Sequence, residues 1–226
     1  MALVLWPTVV LLPRRAWRRS ALRAGARLFI RWAGSPLSVE ASASLPRGSF
    51  VLIANHASYL DSLVLSAACP RSLAFVAKHE LAKQALAGLF LRRLGTVFVR
   101  RTDPAGGVAD TMQALNAVRA NERLAWFPEG TFTRMLGLLG FDLGAFEVAC
   151  QMGVPIVPVT IRGTRSILRS GQWLPRRGAI AVHIGEPLIA TSRDFAAAIG
   201  LRDVARAEIL ARLGEPDLAR ERIDLT

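Results

Sequence analysis

The chain has 226 residues, 52% of them hydrophobic, which is ample for one sizeable core plus an appendage. Its formal net charge is +12, and eight of its arginines with a single glutamate fall within residues 1–48. Such a concentrated basic excess points to an anionic surface, either acidic lipid or nucleic acid. Two cysteines, Cys69 and Cys150, give neither a secreted disulfide framework nor a metal-ligand spacing, and their apolar surroundings suit buried free thiols.

Met1–Leu12 is apolar, but it contains Pro7 and is shorter than the roughly 20 residues that span a bilayer. No basic region precedes it, which argues against an ordinary secretory signal. The next stretch carries a pattern. Arg19, Arg23, Arg27 and Arg31 recur every four residues, and Trp17, Ala21, Ala24, Leu28 and Trp32 fall roughly opposite. Arg18 and Ile30 depart from the pattern. An amphipathic helix of this kind suits the plane of a membrane interface, where tryptophans favour the headgroup region. The alternative is a surface helix packed on the domain with its arginines solvated. Residues 1–34 are therefore expected to form a membrane-associating segment, and 35–226 the domain proper. Residues 34–48, with Pro36 and Pro46, read as a linker with room for a short strand.

From residue 50 onward, strand-length and helix-length segments alternate. Phe50–Ala54, Leu73–Ala77, Thr96–Val99, Leu124–Phe127, Ile156–Ile161 and Ile180–Ile184 are strand-length apolar runs. Helices are expected over Asp61–Ala68, Leu81–Leu94, Gly107–Ala120 and Gly144–Met152, with a last one over about Asp203–Leu213. The alternation predicts an α/β fold with a central, largely parallel β-sheet flanked by helices. In open sheets of this class, ligands bind at the carboxyl ends of strands.

Two polar clusters sit at such ends: Asn55-His56-Ala57-Ser58-Tyr59-Leu60-Asp61 and Phe127-Pro128-Glu129-Gly130-Thr131. A neutral imidazole can take a proton from a hydroxyl, and an oriented carboxylate fixes its tautomer and stabilises the imidazolium. General base catalysis of this kind contributes roughly 10²–10⁴-fold. Taken alone, a His and an Asp five positions apart more often mean a strand-end residue and a helix cap. Ser58 reads equally as a helix cap.

The blocks that follow alter that balance. After NHASYLD come AKHEL (77–81), GTVFVRR (95–101), FPEGTFT (127–133) and VPIVPVTIRGT (154–164). In this order, over roughly residues 48 to 190, the chain resembles the glycerolipid acyltransferases of the lysophosphatidate (1-acylglycerol-3-phosphate) type. The resemblance implies transfer of a fatty acyl group from acyl-CoA or acyl-carrier protein to the free hydroxyl of a lysophospholipid acceptor, without a cofactor or metal. It implies His56 as catalytic base, Asp61 as its orienting partner with Asn55 and Ser58 beside them, and Glu129 as a group that positions the acceptor. Arg101 is expected on a phosphate- or CoA-binding wall, since a guanidinium suits bidentate phosphate recognition, and Arg100 and Lys78 either join it or, like any charges at a strand edge, are simply solvated. The Gly130 and Thr131 backbone amides are candidate oxyanion donors.

The chain also departs from the pattern. Phe132 stands where many lysophosphatidate enzymes have Arg, so Arg134 is the candidate replacement, and Asp142 stands where a basic residue is usual. Lysophosphatidate leads as acceptor, with lyso-phosphatidylethanolamine or a lyso-aminolipid as alternatives. The apolar loop Met135–Phe141 could line an acyl tunnel, dip into lipid, or pack on the core.

Two other classes compete. A serine lipid hydrolase would use Ser58, but no G-x-S-x-G is present. A non-catalytic basic binding protein would make the charge itself the functional feature. Nucleic acid is the weaker partner, because aromatics are few outside the N-terminus and no helix-turn-helix, zinc or RNA-binding signature occurs. Anionic membrane lipid is the expected partner. The basic residues are almost all arginine, Lys78 and Lys83 excepted, which with abundant Ala suits a GC-rich bacterial genome. The expected location is the cytoplasmic face of a bacterial inner membrane, peripheral or monotopic.

Overall fold

The computed structural model describes residues 2–100, 104–168, 171 and 174–219. In chain order the elements are α1 (Ala2–Leu11), α2 (Arg15–Trp32), β1 (Leu37–Ala41), β2 (Val51–Ala54), α3 (Asp61–Ala68), β3 (Ala74–Lys78), α4 (His79–Lys83) and α5 (Ala85–Leu94). There follow β4 (Val97–Val99), α6 (Pro104–Arg119), β5 (Leu124–Trp126), β6 (Leu138–Leu139), α7 (Gly144–Met152) and β7 (Ile156–Arg162). The last four are α8 (Thr164–Ile167), β8 (Ile180–Ile184), α9 (Phe195–Leu213) and β9 (Asp217–Leu218).

Seven strands form one sheet in the order β1-β8-β7-β2-β5-β3-β4. All neighbours are parallel except β7 and β8, which run antiparallel. The α/β sheet read from the alternation is therefore the observed one. β2 is central and alternates as a strand covered on both faces should. Val51 and Ile53 join the cluster under α6, α7 and α9, while Phe50, Leu52 and Ala54 join the cluster under α2 and α3. Cys69 and Cys150 are buried free thiols in these two layers.

Three local findings differ from the sequence reading or complete it. The segment after Gly34 contains a real edge strand, β1, paired in register with β8. The helix expected over Leu81–Leu94 is two helices, broken at Gln84, which has an extended ψ of 121°. The break packs tightly: a Cβ on Gly88 would stand 2.4 Å from the Ala82 carbonyl oxygen, and Arg92 Nη2 donates to that same oxygen at 2.6 Å. The apolar loop 135–141 is mostly interior, with Leu138, Leu139 and Phe141 buried and Met135 and Leu136 exposed.

Of the arginine stripe of α2, Arg19 and Arg23 are half-buried and Arg27 and Arg31 exposed, yet three of the four reach back to the domain. Arg19 donates to the Leu94 carbonyl and pairs with Glu122, Arg23 donates to Pro70 O, and Arg27 donates to Ala67 O. Arg18 is buried and donates to Leu12 O, Pro13 O and Arg93 O. These acceptors lie at the ends of α1, α3 and α5, where helices leave carbonyls unpaired. The apolar stripe is the outward one, with Trp17, Leu28 and Trp32 exposed. Among the described residues, no helix is long and apolar enough to cross a membrane.

The turn that ends β7 depends on Gly163, at φ 90°, where a Cβ would fall 2.1 Å from Ala179 O. Gly163→Ala adds left-handed strain of about 1–3 kcal/mol and a backbone clash. Urea unfolding should show a loss of at least about 2 kcal/mol, and an unchanged midpoint would refute this account of the turn.

Candidate active site

Parallel pairing brings the two polar clusters together. β2 and β5 are neighbours with Ile53 opposite Trp126, so Asn55-His56 and Pro128-Glu129 leave the sheet side by side at its carboxyl edge. β3 and β4 end on the same edge, where Lys78 pairs with Val99.

Asp61 is the first residue of α3 and is fully buried. Its Oδ2 accepts three hydrogen bonds, from His56 Nδ1 at 2.8 Å, Ala57 N at 2.6 Å and Ser58 N at 2.8 Å. With Nδ1 donating to the carboxylate, Nε2 is the nitrogen left to accept a proton. The imidazole stacks on Phe127, with centroids 4.2 Å apart, and has Phe132 at 4.5 Å on a tilted plane. Tyr59 meets the edge of Phe132 at 4.8 Å.

Glu129 crosses between strands. Its Oε1 accepts from His56 N at 2.6 Å and its Oε2 from Leu139 N at 2.9 Å. Burial pushes its carboxyl up to about 7, against the pull of those two amides; nearby Asp61 adds to the rise and Arg165 opposes it. As the carboxylate, Glu129 is thus a brace between the His56 backbone and the loop 137–139.

His56, Tyr59, Glu129, Gly130, Thr131 and Phe132 line one end of a cavity of about 920 Å³. From there it runs between α3, β3 and α5, past Leu63, Phe75, Phe90 and Leu91, to Leu22 of α2 and Leu94. Its walls are mainly apolar, which suits a long aliphatic chain. Lys78, Glu80 and Asp142 are the other charged residues among the described lining.

Several residues expected at the substrate have other partners. Asn55 is buried and ties β2 to β7: its Nδ2 donates to Ile161 O at 2.9 Å and its Oδ1 accepts from Ile161 N at 2.7 Å. Ser58 is buried as well, with its hydroxyl donating to Leu168 O at 2.6 Å and accepting from Leu60 N at 3.1 Å. These contacts make Ser58 a loop anchor and take it out of reach as a nucleophile. Gly130 closes the turn that starts at Phe127, its N–H donating to Phe127 O, which removes it as an oxyanion donor; its φ of 75° directs the chain that follows. Thr131 lines the cavity. Lys78 reaches the cavity at the end of β3, and exposed Arg100 follows β4 beside it. Arg134 is exposed and lies against Gly171, outside the described lining. Arg101 lies outside the described residues.

Sequence reasoning missed three contributors. Tyr59 and Leu22 join the cavity, and Arg165 is buried behind the Glu129 loop. Arg165 follows directly on the VTIRGT block, and an arginine there is the signal that could have marked it.

Asn55→Ala should cost about 2–4 kcal/mol in chemical unfolding, because Ile161 N–H and C=O both lose their partner inside the protein; a loss under half that would refute the clamp. Glu129 binds its proton more tightly folded than unfolded, so its contribution to stability falls as pH rises from its ordinary value of 4.5 to about 7. Glu129→Gln should flatten the stability profile over that window relative to the parent chain, as thermal midpoints measured across pH would show. Parallel profiles would count against a buried, titrating Glu129.

A family profile described as "Acyltransferase" matches residues 36–162. Among similar proteins is a 1-acyl-sn-glycerol-3-phosphate acyltransferase of Saccharomyces cerevisiae, 32% identical over 158 residues, which are 69% of this chain and 52% of that protein. Another of that description, from Borreliella burgdorferi, is 28% identical over 171 residues, covering 74% of this chain and 67% of the other. A chloroplastic relative from Brassica napus is 31% identical, with 70% of this chain and 45% of its own length aligned. The chain thus spans about half the length of several curated relatives. The fold is shared with the crystal structure of the 1-acyl-sn-glycerophosphate acyltransferase of Thermotoga maritima, at TM-score 0.72 and 24% identity, covering 93% of this chain and 89% of that one. The strand-end histidine, its buried aspartate and the FPEG turn therefore sit on a shared fold, and the chain belongs to the Acyltransferase family.

Proposed function

We propose that this chain is a membrane-associated O-acyltransferase that moves a fatty acyl group from acyl-CoA or acyl-carrier protein to the free hydroxyl of a lysophospholipid, with 1-acylglycerol-3-phosphate the leading acceptor and phosphatidate its product. The observation that carries this reading is the His56–Asp61 pair opening onto a long, mainly apolar cavity. The names of the relatives favour the lysophosphatidate acceptor.

In this mechanism His56 Nε2 removes the acceptor's hydroxyl proton as the oxygen attacks the thioester carbonyl. Asp61 stabilises the imidazolium that forms. The carbonyl oxygen becomes an oxyanion, for which the Thr131 amide is a candidate donor. Collapse re-forms the carbonyl and breaks the C–S bond. The leaving thiolate then takes the proton back from His56. A thioester is already activated, so both substrates react in one ternary complex and no acyl-enzyme is needed.

A second acceptor class has its own support. Asp142, Phe132 and Tyr59 border the His56 end of the cavity, and a carboxylate beside aromatic faces suits an ammonium group. That favours lyso-phosphatidylethanolamine or a lyso-aminolipid over a bare phosphate monoester.

Membrane association is supported by α1 and α2. Trp17, Leu28 and Trp32 form an exposed apolar side of α2, α1 adds exposed Val4 and Leu11, and Arg31 is exposed near the same side. Residues 1–34 would lie in the plane of an anionic bilayer, at the cytoplasmic face of the inner membrane if the source is bacterial.

The decisive measurement is acyl transfer by the purified protein against a panel of lysolipids with acyl-CoA and acyl-carrier protein as donors. Activity should fall about 10²–10⁴-fold in His56→Ala and in Asp61→Asn with the fold retained. Full activity in His56→Ala would remove the base assignment. Asp142→Lys should shift acceptor preference toward lysophosphatidate if the ammonium reading holds. Trp17→Ala combined with Trp32→Ala should weaken sedimentation with anionic vesicles several-fold; unchanged sedimentation would reject α2 as the docking face.

A further inference from the structure

The stretch after α9 makes an unusual set of contacts. α9 ends at Gly214, and Glu215–Leu218 then lies against the loop that carries β6. β9 pairs with β6 in parallel, Leu138 opposite Asp217 and Leu139 opposite Leu218. Leu138 N donates to Pro216 O at 2.9 Å, and Gly137 N donates to Glu215 Oε2 at 2.8 Å. The approach is close enough to require glycine: a Cβ on Gly137, at φ 140°, would fall 2.4 Å from Leu218 Cγ and 2.9 Å from Pro216 O.

Two arginines lock this strap. Arg206 of α9 donates to Leu138 O at 2.8 Å and Leu139 O at 3.1 Å, and pairs with Asp217 at 2.6 Å. Buried Arg165 of α8 donates to Thr133 O and Met135 O and pairs with Glu215 at 3.0 Å. Both thus grip the chain between Thr133 and Leu139 by its carbonyls. Leu139 presents its N–H to Glu129, and Glu129 holds His56 N.

We propose that the strap Glu215–Leu218, locked by Arg206 and Arg165, is a positioning element for the reaction, acting on His56 through the Leu139 amide and Glu129. The proposal rests on the acyl-transfer reading for its catalytic part; its mechanical part stands apart from it. Arg206 and Glu215 touch neither the cavity nor His56, and are positioning residues. Their effect is indirect. When Leu139 is held, its N–H stabilises the Glu129 carboxylate, and the His56 backbone is fixed. When the strap loosens, Glu129 loses a donor and is more readily protonated. The charged and titratable groups that bear on Glu129 are Asp61 and His56 from the β2–α3 loop and Arg165 from α8. None of them is altered by substitution at Arg206.

The test uses the full chain and the substitutions Arg206→Ala, Arg206→Lys and Glu215→Gln. Hydrogen–deuterium exchange should speed up in Arg206→Ala at residues 137–139 and, together with them, at the loop 55–61. In acyl transfer, kcat should fall about tenfold with the acceptor KM little changed. The acid limb of the kcat–pH profile should move up by about one unit, the worth of one hydrogen bond to a charged group. Arg206→Lys should recover part of both effects, and Glu215→Gln should reproduce them more weakly. Faster exchange confined to 137–139 and 215–219, with 55–61 unchanged, would overturn the coupling whatever the activity. Faster exchange at 55–61 with an unmoved kcat and pH profile would overturn its catalytic role. A parent chain with no acyl transfer on any lysolipid would instead reject the functional reading, and the exchange result would still decide the mechanical one. If Arg206→Ala does not fold, Arg206→Lys and Glu215→Gln carry the same comparison.

Discussion

The site depends on one buried carboxylate. A charged group taken fully out of water is costly unless several donors meet it. Asp61 has three on a single oxygen: the His56 ring and the Ala57 and Ser58 amides. That arrangement closes the loop between β2 and α3 upon itself, so the five-residue spacing from His56 to Asp61 is a geometric requirement as well as a chemical one. Asn55 pins the start of the loop to β7, and Ser58 pins its middle to the Leu168 carbonyl. Glu129 holds the His56 amide from the neighbouring strand. The imidazole therefore stands on backbone fixed from several directions, so that in the proposed mechanism little reorganisation is needed when charge develops.

Much of this was legible in sequence because its causes are local. Strand runs and the His-to-Asp spacing are patterns of neighbours along the chain, and the parallel sheet follows from their alternation. What was not legible depends on which strands become neighbours. The partners of Asn55 and Ser58 lie 106 and 110 residues away, so a motif could mark them as important but not say for what. The Gly130 amide was misread for a different reason. The Phe127–Gly130 turn closes through Pro128 and Glu129, so the Gly130 N–H is taken up by Phe127 O, and composition alone does not say which amide closes a turn. The break at Gln84 likewise goes with a close approach of Gly88 to the Ala82 carbonyl, which helix propensity does not contain.

The arginine stripe of α2 carries a more general lesson. Periodicity identifies two faces but not which one meets the domain, and the usual rule sends charge outward. Here the ends of α1, α3 and α5 converge on α2, each with unpaired carbonyls. A guanidinium offers five donors in a rigid fork, more than any other side chain. Arg18, Arg19, Arg23 and Arg27 therefore serve as shared caps for three helix ends. The face that packs is carried by Arg18, Ala26 and Ile30, and the tryptophans stand outside it.

The two carboxylates at the site divide its work between them. Asp61 accepts from three N–H groups and meets the imidazole directly; Glu129 accepts from two backbone amides and never touches the ring. Deep burial raises the Glu129 carboxyl to about 7, so its hold as a carboxylate on the His56 backbone is lost as pH falls through neutrality. Such a brace is sensitive to the groups that set Leu139, because the Leu139 amide is one of the two backbone donors that favour its ionised form. The contacts that hold the His56 backbone therefore continue through Glu129 and Leu139 to α8, α9 and the strap behind the loop, and, on the proposed mechanism, the placement of the base depends on them as well as on the motif that contains it.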